Sequence, residues 1–325
     1  MQIRPELQAL RSNDALQRHA QRELKARVAD WRAAAPVELA EDELARLAGG
    51  ANLEDLPLLA AMFTSGDSTA RQFVGGLVDS LCAGLAATPL GLVPLRHFTD
   101  DALASIMVAR SGFATLSLQA FDGLAMARRP LPLSASFSPS CSWEAILAGS
   151  APARLIHCRQ IWPDHAELEV EPLQLRAGAA FARSNRTSAL LLGRFEGCLV
   201  TLRMQCRKAD GGVTREYRLD DGALLHQAAG TPRESRLELT AALLGRMGRT
   251  DAAPLLAAMA QEDGGSGLRW QALRECLGLD TAAGFRSLCA IARNPADPLA
   301  APAEALCTQL RAAHPQLAEF EPCPA

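Results

Sequence analysis

Apolar residues recur at helical spacing over the first third of the chain. From Pro5 to Arg32 every stretch favours helix, and Leu7, Leu10, Leu16, Leu24, Val28 and Trp31 fall near one face, which predicts one or two opening helices. Thr64-Ser65-Gly66-Asp67 is a break that carries a capping side chain. It precedes the cleanest stripe in the protein, Phe73, Val74, Leu77, Val78, Leu81, Cys82 and Leu85. A further helix is expected to begin at Thr99 or Asp100, whose oxygens can accept from the free N–H groups ahead of Ala102, Leu103, Ile106 and Met107. Residues 1–128 therefore read as a helical domain. In it Arg96-His97 occupies a loop after Pro94.

The period changes at Arg129-Pro130-Leu131-Pro132. Ser134 to Ser142 is serine-rich and reads as a connection. Beyond it, Ala153–Trp162, Ala166–Leu175, Thr187–Leu192 and Cys198–Arg207 alternate in strand fashion. Ala177-Gly178, Glu196-Gly197, Asp210-Gly211-Gly212 and Asp221-Gly222 supply the left-handed residues that tight reversals need. Residues 129–233 are thus expected to form an antiparallel barrel or sandwich. From Glu234 the helical period returns, giving a third domain over 234–325 and an α+β multidomain fold class.

Within that last part, Leu244-Gly245 matches Leu277-Gly278. Asp251-Ala252-Ala253-Pro254 matches Asp280-Thr281-Ala282, and Leu268 to Leu273 matches Leu299 to Leu306. The pattern resembles HEAT-type repeats, which implies stacked helical hairpins over about 235–315 and a surface for a protein partner. In the β region, Leu173-Gln174-Leu175-Arg176-Ala177-Gly178 leads through a strand to Gly197, and Leu219-Asp220-Asp221-Gly222 ends another. This is similar to the cupin family over about 150–228. A metal-binding cupin carries two histidines and a glutamate between the first two glycines; Ser184, Asn185 and Arg186 stand here instead. His226 lies too early for the family's later histidine.

Composition narrows the function. At 325 residues, 49% hydrophobic and 21% charged, the chain has material for two or three cores. A net charge of −3 and a pI near 6.1 offer no field for a polyanion, so nucleic acid is not an expected partner. Met1 to Leu10 lacks the apolar core of a secretory signal, and the weakly polar stretch Leu81–Leu95 is broken by Pro89 and Pro94, so a membrane span is not expected either. These features and nine cysteines without a paired framework point to a cytoplasmic protein. Lys25 and Lys208 are the only lysines, a bias towards arginine typical of a GC-rich bacterial genome.

Three groups of residues could carry chemistry. Arg176, Arg183, Arg186, Arg194, Arg203, Arg207, Arg215 and Arg218 crowd the β region. Of these Arg176, Arg183 and Arg186, with His226, are the candidate ligand-binding set for a carboxylate or phosphate, against the alternative of a solvated sheet face. His157, His165 and His226 are the candidate metal ligands if strands bring them together, although each also reads as an ordinary hydrogen-bonded histidine; no cofactor is predicted. Cys82, Cys276, Cys289 and Cys307 sit in apolar helical patterns and read as packing residues. The expected function is an interaction or regulatory protein, with a β domain that binds a small anion and a helical tail that binds a protein. The alternatives are a cupin-type enzyme acting on a small anionic substrate and an assembly factor dimerising through Phe73, Leu77 and Leu81; against the latter, that stripe packs inside one monomer.

Overall fold

A computed structural model describes residues 13–207, 212–229 and 231–320. Leu7, Leu10, Cys323 and the Asp210-Gly211 part of one expected turn lie outside them. The chain divides into two compact units, residues 1–209 with 218–223 and residues 210–217 with 224–325. No helix among the described residues is long and apolar enough to cross a membrane.

In the first unit, α1 (Ala15–Arg32), α2 (Ala35–Ala48), α3 (Pro57–Met62) and α4 (Thr69–Ala87) form in sequence. Gly66 takes a φ of +83° and Asp67 Oδ1 accepts from both the amide and the hydroxyl of Thr69. That explains the start of α4: a left-handed residue reverses the chain and a carboxylate then satisfies the first free donors. The strands follow: β1 (His97–Thr99), β2 (Leu103–Ser111), β3 (Ala114–Asp122), then the short α5 (Gly123–Arg128), β4 (Ser134–Phe137), β5 (Ser140–Ala148), β6 (Ser150–Ile161), β7 (Ala166–Arg176), β8 (Ala180–Ser184), β9 (Ser188–Leu192) and β10 (Cys198–Arg207). All of them but β4 form two antiparallel sheets, one six-stranded, β1-β2-β3-β10-β5-β8, and one three-stranded, β7-β6-β9.

Two expectations are corrected here. The helix anticipated after Asp100 is a β-hairpin. Asp100 Oδ1 does accept from the amides of Ala102 and Leu103, both at 2.8 Å, but the chain turns there between β1 and β2. The same oxygen geometry starts helices and turns alike. The apolar spacing misled because β2 carries a bulge between Met107 and Ala109, which places Val108 and Ala109, adjacent in sequence, in the same core. The second correction concerns Ser134 to Ser142, which is no connection. It holds β4 and the start of β5, an interior strand whose serines at 140 and 142 are buried.

The six-stranded sheet has two unlike faces. One packs on the helices in a cluster that includes Leu44, Leu59, Met62, Phe73, Leu77, Val108, Leu116, Leu202 and Met204. Phe73, Val74, Leu77 and Leu81 are buried in it, so that part of the α4 stripe packs within the chain, while Val78 and Cys82 are exposed. The other face meets the three-stranded sheet through Ile146, Ala151, Ala153, Leu175, Phe195 and Leu199. The turn from β5 to β6 requires a glycine. Gly149 has a φ of +81°, and a side chain there would collide with the Cys198 carbonyl.

The second unit opens on a hairpin of β11 (Val213–Arg218) and β12 (Leu224–Ala229), then α6 (Pro232–Arg246), α7 (Ala253–Gln261), α8 (Ser266–Leu279), α9 (Thr281–Ala292) and α10 (Ala300–Ala313). Thr231 and Asp280 cap α6 and α9 by accepting from the amides of Glu234 and Ala283. Leu256, Ala272 and Cys276 centre one core; Leu273, Phe285, Leu288 and Ile291 centre another. The matched glycines do different work. Gly245 lies against the Glu275 side chain, whereas Gly278 faces open space. Arg269, 7% exposed, donates from Nε to the Ala260 carbonyl and from Nη1 to Asp297 Oδ1 at 3.1 Å. The thiols of Cys289 and Cys307 are buried 3.7 Å apart and Cys276 is buried too, but Cys82 is exposed and does not pack as expected.

Candidate functional site

The inner face of the six-stranded sheet changes character along its strands. On β10 and β5, Leu199 and Ile146 belong to the apolar cluster. Further along, the same alternation brings Arg203 opposite Glu144 and Gln205 opposite Ser142. On β8, Arg183 lies opposite Ser142 from the other side. Because side chains two apart share a face, seven polar groups from three strands and one turn gather at this end.

Their contacts are dense. Arg183 Nη2 donates to Glu144 Oε1 at 2.9 Å and its Nη1 to Asn185 Oδ1 at 2.6 Å. Asn185 Nδ2 donates to the hydroxyls of Ser140 and Ser142, and Gln205 Nε2 donates to Ser140 Oγ. Arg203 Nη2 donates to Ser142 Oγ at 3.2 Å, and its Nε stands 3.7 Å from Glu144 Oε1. The side chains of Glu144 and Arg183 are 8% and 10% exposed; that of Arg203 is 28% exposed. Arg203 is the member that solvent reaches.

The charges do not balance. Two guanidiniums face one carboxylate, leaving one positive charge in the hydrogen-bonded cluster. Desolvation lowers the Arg203 pKa from its ordinary value, Glu144 opposes that and Arg183 adds to it. The Nε atoms of both arginines are buried without a hydrogen-bond partner. Buried donors in native proteins are nearly always satisfied, so these two nitrogens, beside an excess positive charge, are the unsatisfied part of the cluster.

Of the candidate ligand-binding set Arg176, Arg183, Arg186 and His226, only Arg183 joins this cluster; Arg203, one of the crowded arginines of the β region, and Asn185 join it too. Arg176 ends β7 and is exposed; Arg186 is exposed in the turn between β8 and β9. His226 belongs to the second unit, exposed on β12 in register with Glu216. His157 on β6 bonds Glu171 through Nε2 at 2.9 Å. His165 bonds Asp164 and stacks on Trp162 at 4.4 Å. Each of these two thus has a local partner, and no group of three potential metal ligands comes together among the described residues. Glu144 and Ser142 were missed because they stand in or beside a stretch that reads as a serine-rich connection. The alternation Ser140, Ser142, Glu144 was the signal available.

No family model matches the chain, and no curated protein matches it. Parts of several solved structures, cupin proteins among them, are similar to part of this chain. KdgF from Halomonas sp. is 16% identical at a TM-score of 0.25, covering 35% of this chain and 91% of that one. A cupin-superfamily protein from Desulfitobacterium hafniense is 13% identical at 0.24, covering 34% and 83%. The cupin domain of Drosophila melanogaster CENP-C is 11% identical at 0.27, covering 36% and 77%. Similarity at this level identifies neither ligand nor chemistry.

Proposed function

We propose that the first unit binds a small organic monoanion at the Arg183, Glu144 and Arg203 cluster. The supporting observation is the single uncompensated positive charge on the sheet face, with two orphaned guanidinium nitrogens. A carboxylate can take both bonds of one guanidinium face, and Arg203, the more exposed arginine, is the contact residue. Arg183, held by Glu144 and Asn185, keeps that carboxylate from neutralising Arg203 outright.

The test is calorimetric titration of the intact protein with acetate and lactate, with their neutral amides as controls. Saturable binding of the acids, lost in Arg203→Gln and kept in Arg176→Gln, supports the reading. Equal response to acid and amide, or no saturation at millimolar concentration, removes it.

The second part of the reading is that the helical unit carries a protein partner. Leu239 and Leu243 on α6 and Met247 at its C-terminal cap recur every four residues and are 69%, 57% and 59% exposed. Such a ridge on a monomer's surface is the kind of patch that helix-in-groove contacts use.

A further inference from the structure

Pro94, Leu95 and Arg96, the segment leading into β1, end beside a cavity of about 490 Å³. Arg32 from the end of α1, Glu41 and Leu44 from α2, and five consecutive residues of β2, Met107 to Ser111, complete its lining. A wall made of five successive strand residues is a strand edge. β1 pairs β2 only as far as Ile106, and the Met107 amide donates to the Arg96 carbonyl. Past that bond no strand flanks this side of β2 among the described residues, because β3 occupies its other side.

The floor is apolar: Leu44, Leu95, Val108 and Ala109 are all buried. The charged walls are one-sided, with Arg32, Arg96 and Arg110 against Glu41 alone. Arg32 stands 3.8 Å from Glu41, whereas Arg96 and Arg110 have no ion-pair partner among the described residues. An open edge with unused backbone groups is a template for another strand, and cationic side chains beside it select the charge of whatever docks.

We propose that the outer edge of β2 takes an extended acidic peptide as an added strand, continuing the line of β1. The peptide's main chain bonds the outward backbone groups of residues 108–111, its apolar side chains lie against the Leu95 and Val108 floor, and its carboxylates pair with Arg96 and Arg110. A strand fits better than a compact small molecule because the lining runs along five residues of one edge.

The probe is a fluorescein-labelled acetyl-Val-Glu-Val-Glu-Val-Glu amide, followed by anisotropy with the full chain. Saturable binding is expected, weakened tenfold or more by Arg96→Glu or Arg110→Glu, and unchanged by Arg203→Gln, which separates this site from the monoanion cluster. The same peptide N-methylated at alternate amides loses its main-chain donors but none of its charge, and it should bind at least tenfold more weakly. Hydrogen exchange should show slowed amides within residues 109–111 in the complex. Equal binding of the N-methylated peptide, glutarate competing as well as the unlabelled peptide, or no saturation at all would overturn the proposal. The last outcome would make the arginines guards of the edge and nothing more.

Discussion

Two buried ion clusters, one in each unit, look alike in residue type and differ in balance. In the helical unit Arg269 meets Asp297, one cation and one anion, and its remaining Nε is taken by the Ala260 carbonyl. Asp297 in turn accepts from the Leu299 amide, so the pair ties α8 to the segment before α10 and nothing is left over. On the β sheet, Glu144 meets two guanidiniums and two nitrogens stay orphaned. A closed pair fixes structure. An open one leaves a free-energy incentive for a further anion, because burying an unpaired charge is costly until it finds a partner.

Breaking each anion shows the difference most sharply. Glu144→Ala should cost about 3 kcal/mol in denaturant unfolding, since it strands the buried Arg183 and the half-buried Arg203; added acetate should restore part of it. A loss under 1 kcal/mol would show that the guanidiniums simply turn to solvent. Asp297→Ala should cost about 3 kcal/mol with no recovery on adding acetate, whereas the paired change Arg269→Met with Asp297→Leu should come close to neutral.

Acid separates the clusters as well. The Arg269 hydrogen bond holds the Asp297 carboxyl below the usual carboxylate range, against the opposing effect of desolvation. Its folded pKa is therefore below its unfolded value of about 3.9, so its contribution is complete above that pH and fades as pH falls through the folded value. Stability followed by circular dichroism should show this acid loss in the native protein and not in Asp297→Asn. The smallest effect belongs to the exposed ridge. Leu243→Ser should change stability by no more than about 0.5 kcal/mol, and a larger loss would mean that the ridge is packed.

Sequence periodicity predicted α4, the strands β6, β7, β9 and β10 and three turn glycines, Gly178, Gly197 and Gly222, all with positive φ. These are local properties: a stripe, an alternation or a left-handed residue shows in a short window. What failed was non-local. Asp100 looked like a helix cap because nothing near it reveals that the next nine residues will pair with β3. Ser140, Ser142 and Glu144 looked like a connection because their polarity faces a neighbouring strand and not water. Arg183 stood out only as one arginine among many, and register alone distinguishes it from Arg176 and Arg186.

The bulge in β2 makes the length of that strand as consequential as its chemistry. Val108 and Ala109 both enter the helix-packed core, and Arg110 then falls opposite Thr115. Deleting either of the two would remove the bulge and leave one apolar side chain where two now fill that core, while the pairs from Arg110 to Ser111 keep their register with β3. Substitutions that keep the residue count between Ile106 and Gly112 leave the bulge in place, so among homologues this stretch should accept changed letters more readily than gaps.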